Sequence, residues 1–250
     1  MFSDKKSFLG IEINAYSVKH LNAIVKEVVS TSSKSIIANH NLHSLYLFHK
    51  DPKMREFYSL ANYTHIDGMP VVLLGNIFKQ NLEKANRVTY VDWVDPLMTL
   101  ANQESWKVYF LGSKPGVGEK VSDIYAEKYE NVKFKFHHGY FNVNNIEENE
   151  KVINDINVFQ PHILFMGMGM PRQEKWIQEH LQHINANVIL QSGACMDYVA
   201  GEVATPPRWM GKFGLEWLFR LIGEPKRLWK RYLIEPLFLI PIILKELYKK

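Results

Sequence analysis

YFLGSKPGVGEKV, residues 109–121, decides how the chain folds. An apolar run ending at Gly112 breaks at a loop holding Gly116 and Gly118, and the helical pattern VGEKVSDIYAEKY follows it. A short, continuous apolar run is what a strand buried on both faces requires. The reading extends outward to SIIA (35–38), VKFKF (132–136), HILFMG (162–167) and NVILQ (187–191). Helical patterns separate these runs, among them PRQEKWIQEHLQHI, which opens on Pro171, a residue tolerated in a first helical turn. Strands alternating with helices predict an α/β, Rossmann-like parallel sheet with helices on both faces.

No repeat, low-complexity segment or linker interrupts this pattern before about Thr205, and Pro206-Pro207 then marks a change in composition. The expected organisation is an α/β catalytic domain over 1–205 and a C-terminal helical appendage over 206–250. With 46% hydrophobic and 22% charged residues in 250, a sizeable core is expected. The net charge of +4 is regional: residues 208–250 hold ten Lys or Arg against four Glu, which leaves the first 207 residues at −2. The single cysteine, Cys195, excludes an internal disulfide and a cysteine-cluster metal site, and it suits a reducing, cytosolic address. The start, MFSDKKSFLG, lacks the apolar core of a signal peptide. The longest uninterrupted apolar run, LFLIPIIL (237–244), is far short of the roughly 20 residues that span a bilayer. A chain of this kind is expected to lie on a membrane rather than cross it.

In an open parallel sheet, ligands bind beyond the carboxyl ends of the strands, so the loops there carry the candidate chemistry. Gly112, Gly116 and Gly118 stand between a strand and a helix start, where backbone N–H groups cradle a phosphate; the other reading is a tight turn that needs glycine. The loop has neither GxGxxG nor GK[ST]. In MGMGMPRQEKWI, Gly167 and Gly169 precede Arg172, Gln173 and Glu174 in the first helical turn; either Arg172 and Gln173 reach a ligand above the helix, or the charged pair there solvates its start. In THIDGMP, Asp67 is either part of an Asp-Gly turn or a carboxylate held in a cleft, able to act as a general base. His137 and His138, adjacent in a strand, are expected on opposite faces and without a third metal ligand, and Cys195 reads as a buried structural thiol.

Taken together and in order, IDGMP, RVTYVD, YFLGSKPGV, GYF (139–141), MGMGMPRQEKWI, GACMDYVAGE, PRWMGKFGLEWLFRL and EPKRLWKRY resemble the bacterial glycosyltransferases of the WecG/TagA/CpsF family, from about Ser35 to Tyr232. The resemblance implies an inverting transfer of a hexose or N-acetylhexosamine-type sugar from a UDP-sugar to a polyprenyl-diphosphate-linked saccharide, at the cytoplasmic face of the membrane, in cell-surface polysaccharide synthesis. Asp67 falls on the family's general base and Arg87 on the arginine near the nucleotide-sugar. Asn39, Asn41, Gln173 and Asp197 fall on family positions near the substrate, Asp197 near the nucleotide; Gly112, Gly116 and Gly167, in the loops read above, join them as substrate-binding candidates. The implied step is direct displacement at the anomeric carbon, with Asp67 taking the acceptor proton while Arg87 and backbone amides balance charge on departing UDP. No DxD is present, so neither a metal site nor a cofactor is expected.

Two positions depart from the family's pattern. Asn39 stands where many members have threonine, and Tyr90 where glycine is common; both bear on the donor sugar, for which relatives use N-acetylmannosamine, its uronic acid or glucose. The alternative class is a non-catalytic nucleotide-binding or scaffold subunit of a polysaccharide assembly complex, with Asn39 and Tyr90 as marks of lost activity. Nucleic-acid binding is disfavoured, because the basic tail interleaves cations with aliphatics at helical spacing.

That tail suits a lipid-linked acceptor. Leu215, Leu218, Phe219 and Ile222 make one apolar helix face, and Trp209 and Trp217 favour a membrane interface. Arginine forks bind phosphate oxygens in pairs, and each lysine near an anionic surface adds attraction of ~1 kcal/mol. The expectation is a membrane-docking appendage whose Arg220, Arg227 and Arg231 close over the acceptor diphosphate; the other reading is ordinary C-terminal helices packed on the core. LFLIPIIL calls for lipid or for a partner copy of the chain in a homo-oligomer.

Overall fold

The computed structural model describes residues 5–212 and 214–248, with all their side chains but those of Arg208 and Lys212. Lys249 and Lys250, counted above in the basic tail, lie outside the described residues.

Six strands form one parallel sheet: β3 (Ser35–His40), β4 (Tyr63–Ile66), β5 (Lys107–Gly112), β6 (Lys133–His137), β7 (Ile163–Gly167) and β8 (Val188–Gln191), in the order β4-β3-β8-β7-β5-β6. Alternate residues of the central strands feed two cores. Ile37, Val108, Phe110, Phe165 and Leu190 pack under α1 (Val18–Ser30), α5 (Tyr90–Gln103), α6 (Val117–Lys128) and α9 (Cys195–Val199). Ile36, Ala38, Tyr109, Leu164 and Ile189 pack under α3 (Pro52–Leu60), α7 (Ile146–Phe159) and α8 (Arg172–His180). Helices thus cover both faces, as the continuous apolar runs require. The edges are handled differently. Lys133 and Lys135 line β6, whereas β4 lies beside the hairpin β1 (Lys5–Phe8) and β2 (Ile11–Asn14), whose Asn14 Oδ1 accepts from Thr64 N at 3.1 Å.

A third core lies beneath that hairpin. Phe8, Leu9, Ile11 and Ile13 meet Leu45 of α2 (Leu42–Lys50), Val71 and Val72 of α4 (Met69–Ile77), and Leu239 from the C-terminal end. After α10 (Arg208–Lys212) and α11 (Glu216–Gly223), α12 (Pro225–Trp229) runs through a π segment at Lys230–Ile234 into α13 (Glu235–Leu247). Leu239 is buried and Ile242 and Ile243 pack beside it, while Leu237, Ile240 and Leu244 face outward. The run LFLIPIIL is therefore divided by helical geometry between core and surface. Polar contacts tie the same helix down: Glu246 Oε1 accepts from Leu9 N at 2.7 Å, and His43 Nδ1 lies 2.6 Å from Glu235 Oε2. Among the described residues no helix is long and apolar enough to cross a membrane.

β3 and β8 are neighbours whose continuations leave toward opposite faces, β3 through α2 into α3 and β8 into α9. Such a divergence opens a crevice at the carboxyl ends of the two strands.

Candidate functional site

Asp67 stands one residue beyond β4, next to the carboxyl end of β3, with its N–H extending the parallel ladder to His40 O at 2.9 Å. Beside it, Asn41 performs two tasks. Its Oδ1 accepts from Ser44 N at 3.0 Å and caps α2, and its Nδ2 donates to Asp67 Oδ2 at 3.3 Å. Burial pushes the Asp67 carboxyl up to about 6. The Asn41 amide and the positive charges of Arg220, Arg231 and Arg87, in falling order, oppose that rise. At neutral pH the result is a carboxylate with the basicity a proton acceptor needs.

Arg87 reaches the same place because its backbone bridges Ile66 at the end of β4. Its guanidinium donates to Asp92 Oδ2 at 3.2 Å and to Glu216 Oε2 of α11 at 2.7 Å. From the C-terminal helices, Arg220 lies 5.5 Å over the Tyr198 ring, with its Nε buried and unbonded. Arg231, in the π segment, is half-buried and acts on both Asp67 and Glu174. Arg227 instead makes a forked pair with Glu224, both bonds at 2.6 Å. Asp67, Arg87, Arg220 and Arg231 thus converge, while Arg227 stands toward Asp197.

Asp197, on α9, has its carboxyl raised by burial, with the Ser113 hydroxyl, Lys114 and Arg227 pulling the other way. Ser113 follows β5 with a left-handed backbone (φ 55°), which leaves its buried hydroxyl beside the Asp197 carboxyl. The glycines divide by reason. A Cβ on Gly112 would lie 2.5 Å from the Gly167 backbone, and one on Gly167 would lie 2.5 Å from the Phe110 ring, so close packing excludes a side chain at both. Gly116 caps α6 at φ 88°, a left-handed conformation that favours glycine, with open space where a side chain would stand.

Asn39 is 2% exposed and donates through Nδ2 to Gln191 O at 2.9 Å. Its Oδ1, the Tyr90 hydroxyl and Gln191 Oε1 are all buried and without a hydrogen-bond partner. Tyr90, raised far above the usual phenol range by burial, lies beside the Asn39 carboxamide, which eases that shift. The two departures from the family pattern are therefore neighbours in one polar corner.

Three sequence readings need correction or completion. Gln173 is fully buried: its Oε1 accepts from Gly169 N at 3.1 Å and its Nε2 donates to Glu174 Oε1 at 2.8 Å, so it organises the loop from within. Arg172 turns away from the crevice, donating to Phe141 O at 2.5 Å and stacking over the Phe141 ring. His138 lies beyond the end of β6, so the His137 and His138 rings sit 4.7 Å apart instead of on opposite faces. Among the described residues no group of three or more His, Cys, Asp or Glu is placed to hold a metal ion. The Cys195 thiol is buried and shifted upward by burial, as an inert structural cysteine should be.

One site residue escaped sequence reasoning. Glu174 is fully buried, with its carboxyl pushed up to about 7 by burial and its Oε2 unbonded. The available signal was its spacing from Ile177, which puts both on the inward face of α8.

Residues 6–250 match the model of the glycosyl transferase WecG/TagA/CpsF family. The chain belongs to that family. Among its relatives are the N-acetylglucosaminyldiphosphoundecaprenol N-acetyl-beta-D-mannosaminyltransferases of Staphylococcus aureus strains MRSA252 and MW2. Each is 29% identical to it over 219 residues, covering 84% of this chain and 84% of the relative. The WecG/TagA/CpsF assignment agrees with the collinear motifs and takes in the C-terminal helices as well as the sheet.

Proposed function

We propose that this chain transfers an N-acetylmannosamine-type sugar from its UDP donor to an N-acetylglucosamine carried on a polyprenyl diphosphate, with inversion at the anomeric carbon. The observation that carries the proposal is the convergence of Asp67 with Arg87, Arg220 and Arg231 beyond the carboxyl ends of β3 and β4. Asp67 takes the proton of the acceptor hydroxyl as its oxygen bonds to the anomeric carbon, and the bond from that carbon to the UDP oxygen breaks. Arg87 and backbone amides of the loop at residues 112–118 bear the charge growing on UDP. Asp197, beside Ser113 and Lys114, holds the nucleotide end. Arg220 and Arg231 face the acceptor diphosphate, and Arg227 joins them by exchanging Glu224 for phosphate oxygens.

A lipid-linked acceptor is met at a bilayer surface. Trp209, Trp217, Trp229, Leu233, Leu237 and Ile240 are exposed on the C-terminal helices, which supports peripheral docking there rather than spanning. The test is a panel of UDP-sugars offered to the purified chain with vesicles carrying undecaprenyl-diphosphate N-acetylglucosamine, in EDTA, with UDP release as the readout. Release from one donor that requires the acceptor supports a metal-independent transferase. Failure to bind UDP at all contradicts the reading.

A further inference from the structure

Arg87 is gripped from two directions. The first grip is local: Asp92, near the start of α5, accepts from Arg87 and is itself held by the Thr89 hydroxyl at 2.9 Å. That clamp needs only residues 87–92. The second comes from 129 positions along the chain, where Glu216 accepts from Arg87 at 2.7 Å. Arg87 is the more enclosed partner, its side chain 14% exposed against 35% for Glu216.

An acidic residue at a helix start is ordinary, because it complements the helix dipole. Two observations give Glu216 a more specific part. A Cβ on Gly211 would lie 2.7 Å from Glu216 Oε1 and 3.5 Å from the Arg87 guanidinium, so α10 leaves room for this ion pair where any side chain would crowd it. Glu216 and Arg220 are also four residues apart on α11, which puts them on one helix face. That face presents Glu216 to Arg87 and Arg220 toward Asp67. A shift of α11 therefore disturbs both ends of the reacting centre together.

We propose that Glu216 is a positioning residue: through Arg87 it registers α11 against the sheet, so that the leaving-group arginine and Arg220 are set only when the C-terminal helices are seated. The inference rests on the transferase reading for its catalytic consequence. Its structural core, the coupling of Arg87 to α11, does not depend on that reading. Coupling of this kind is reciprocal, so loss of either partner loosens the other.

The experiment has two arms on the full chain. In the first, amide hydrogen exchange is followed without substrate in wild type, Glu216→Gln and Arg87→Ala. Exchange over residues 216–223 is expected to rise about tenfold in both variants, the scale of a lost charge-assisted contact. In the second, acceptor-dependent transfer is measured for Glu216→Gln, Glu216→Asp and Gly211→Ala. Glu216→Gln and Gly211→Ala are expected to lower kcat about tenfold with the donor KM nearly unchanged, and Glu216→Asp to recover much of the loss. Unchanged exchange over 216–223 in both variants overturns the proposal. So does transfer by Glu216→Gln at or above the wild-type rate, since the pair would then mask Arg87 instead of setting it. A wild-type chain that transfers no sugar counts against the function proposed above and leaves the exchange arm to decide this one.

Discussion

Asn41 and Asp67 form a unit in which one amide serves two masters: Oδ1 caps α2 through Ser44 N, and Nδ2 donates to the Asp67 carboxylate. Aspartate at position 41 keeps the cap but cannot donate. Asn41→Asp is therefore expected to leave the melting temperature nearly unchanged while placing a second carboxylate beside Asp67. The acid limb of the kcat/KM profile should move up by about one pH unit. A pH profile of UDP release compares the two enzymes directly.

Glu174 predicts how stability depends on pH. Its folded value, about 7, lies above its ordinary 4.5, so the folded state holds the proton more tightly. Glu174 therefore costs no stability below about pH 4.5 and progressively more as pH rises toward 7, where it ionises with Oε2 unbonded. Glu174→Gln should gain in urea stability over wild type at pH 8 and gain little at pH 4.5. An equal gain at both values would show that the buried charge is not the cause.

Asn39 and Tyr90 should act together on the donor. Tyr90→Gly and Asn39→Thr each alter one wall of a shared corner, so their effects on kcat/KM across a panel of UDP-sugars are expected to be non-additive in the double variant. Because the Tyr90 hydroxyl is buried and unbonded, Tyr90→Phe should be at least as stable as wild type. Thermal unfolding and the donor panel read the two effects separately.

The two faces of α13 make opposite predictions. Leu239→Ala, in the core at 1% exposure, should cost about 2–5 kcal/mol of stability and leave vesicle association intact. Leu237→Asp combined with Ile240→Asp, on the outward face, should abolish flotation with anionic phosphatidylglycerol vesicles at little cost in melting temperature.

The sheet was legible where its strands are buried on both faces, because runs such as VYFLG and HILFMG have no polar alternation to confuse them. β4 was not, since Thr64 and His65 are polar residues whose burial depends on the hairpin and on α5 lying over them. The hairpin itself was missed because its turn places Leu9, an unusual residue there, at φ 50°. Motifs singled out Asp67, Arg87 and the arginines of the C-terminal helices as candidates. Their partners were not: Glu216 lies 129 positions from Arg87, and no local pattern reports an ion pair across that distance. Gln173 and Glu174 were adjacent in the sequence and hard to tell apart, because only the packing of α8 decides that both point inward. The division of LFLIPIIL was hidden for the opposite reason, since every residue in the run is apolar and only α2 and the hairpin select the buried face.

The most direct test of the central claim is the pH dependence of acceptor-dependent transfer by wild type and Asp67→Asn. With Asp67 as the base, wild-type kcat/KM should fall on the acid side with a midpoint near 6, and Asp67→Asn should be slower by about 100-fold or more, with that limb gone. Wild-type turnover by Asp67→Asn, or an acid limb that survives the substitution at the same midpoint, would contradict the account.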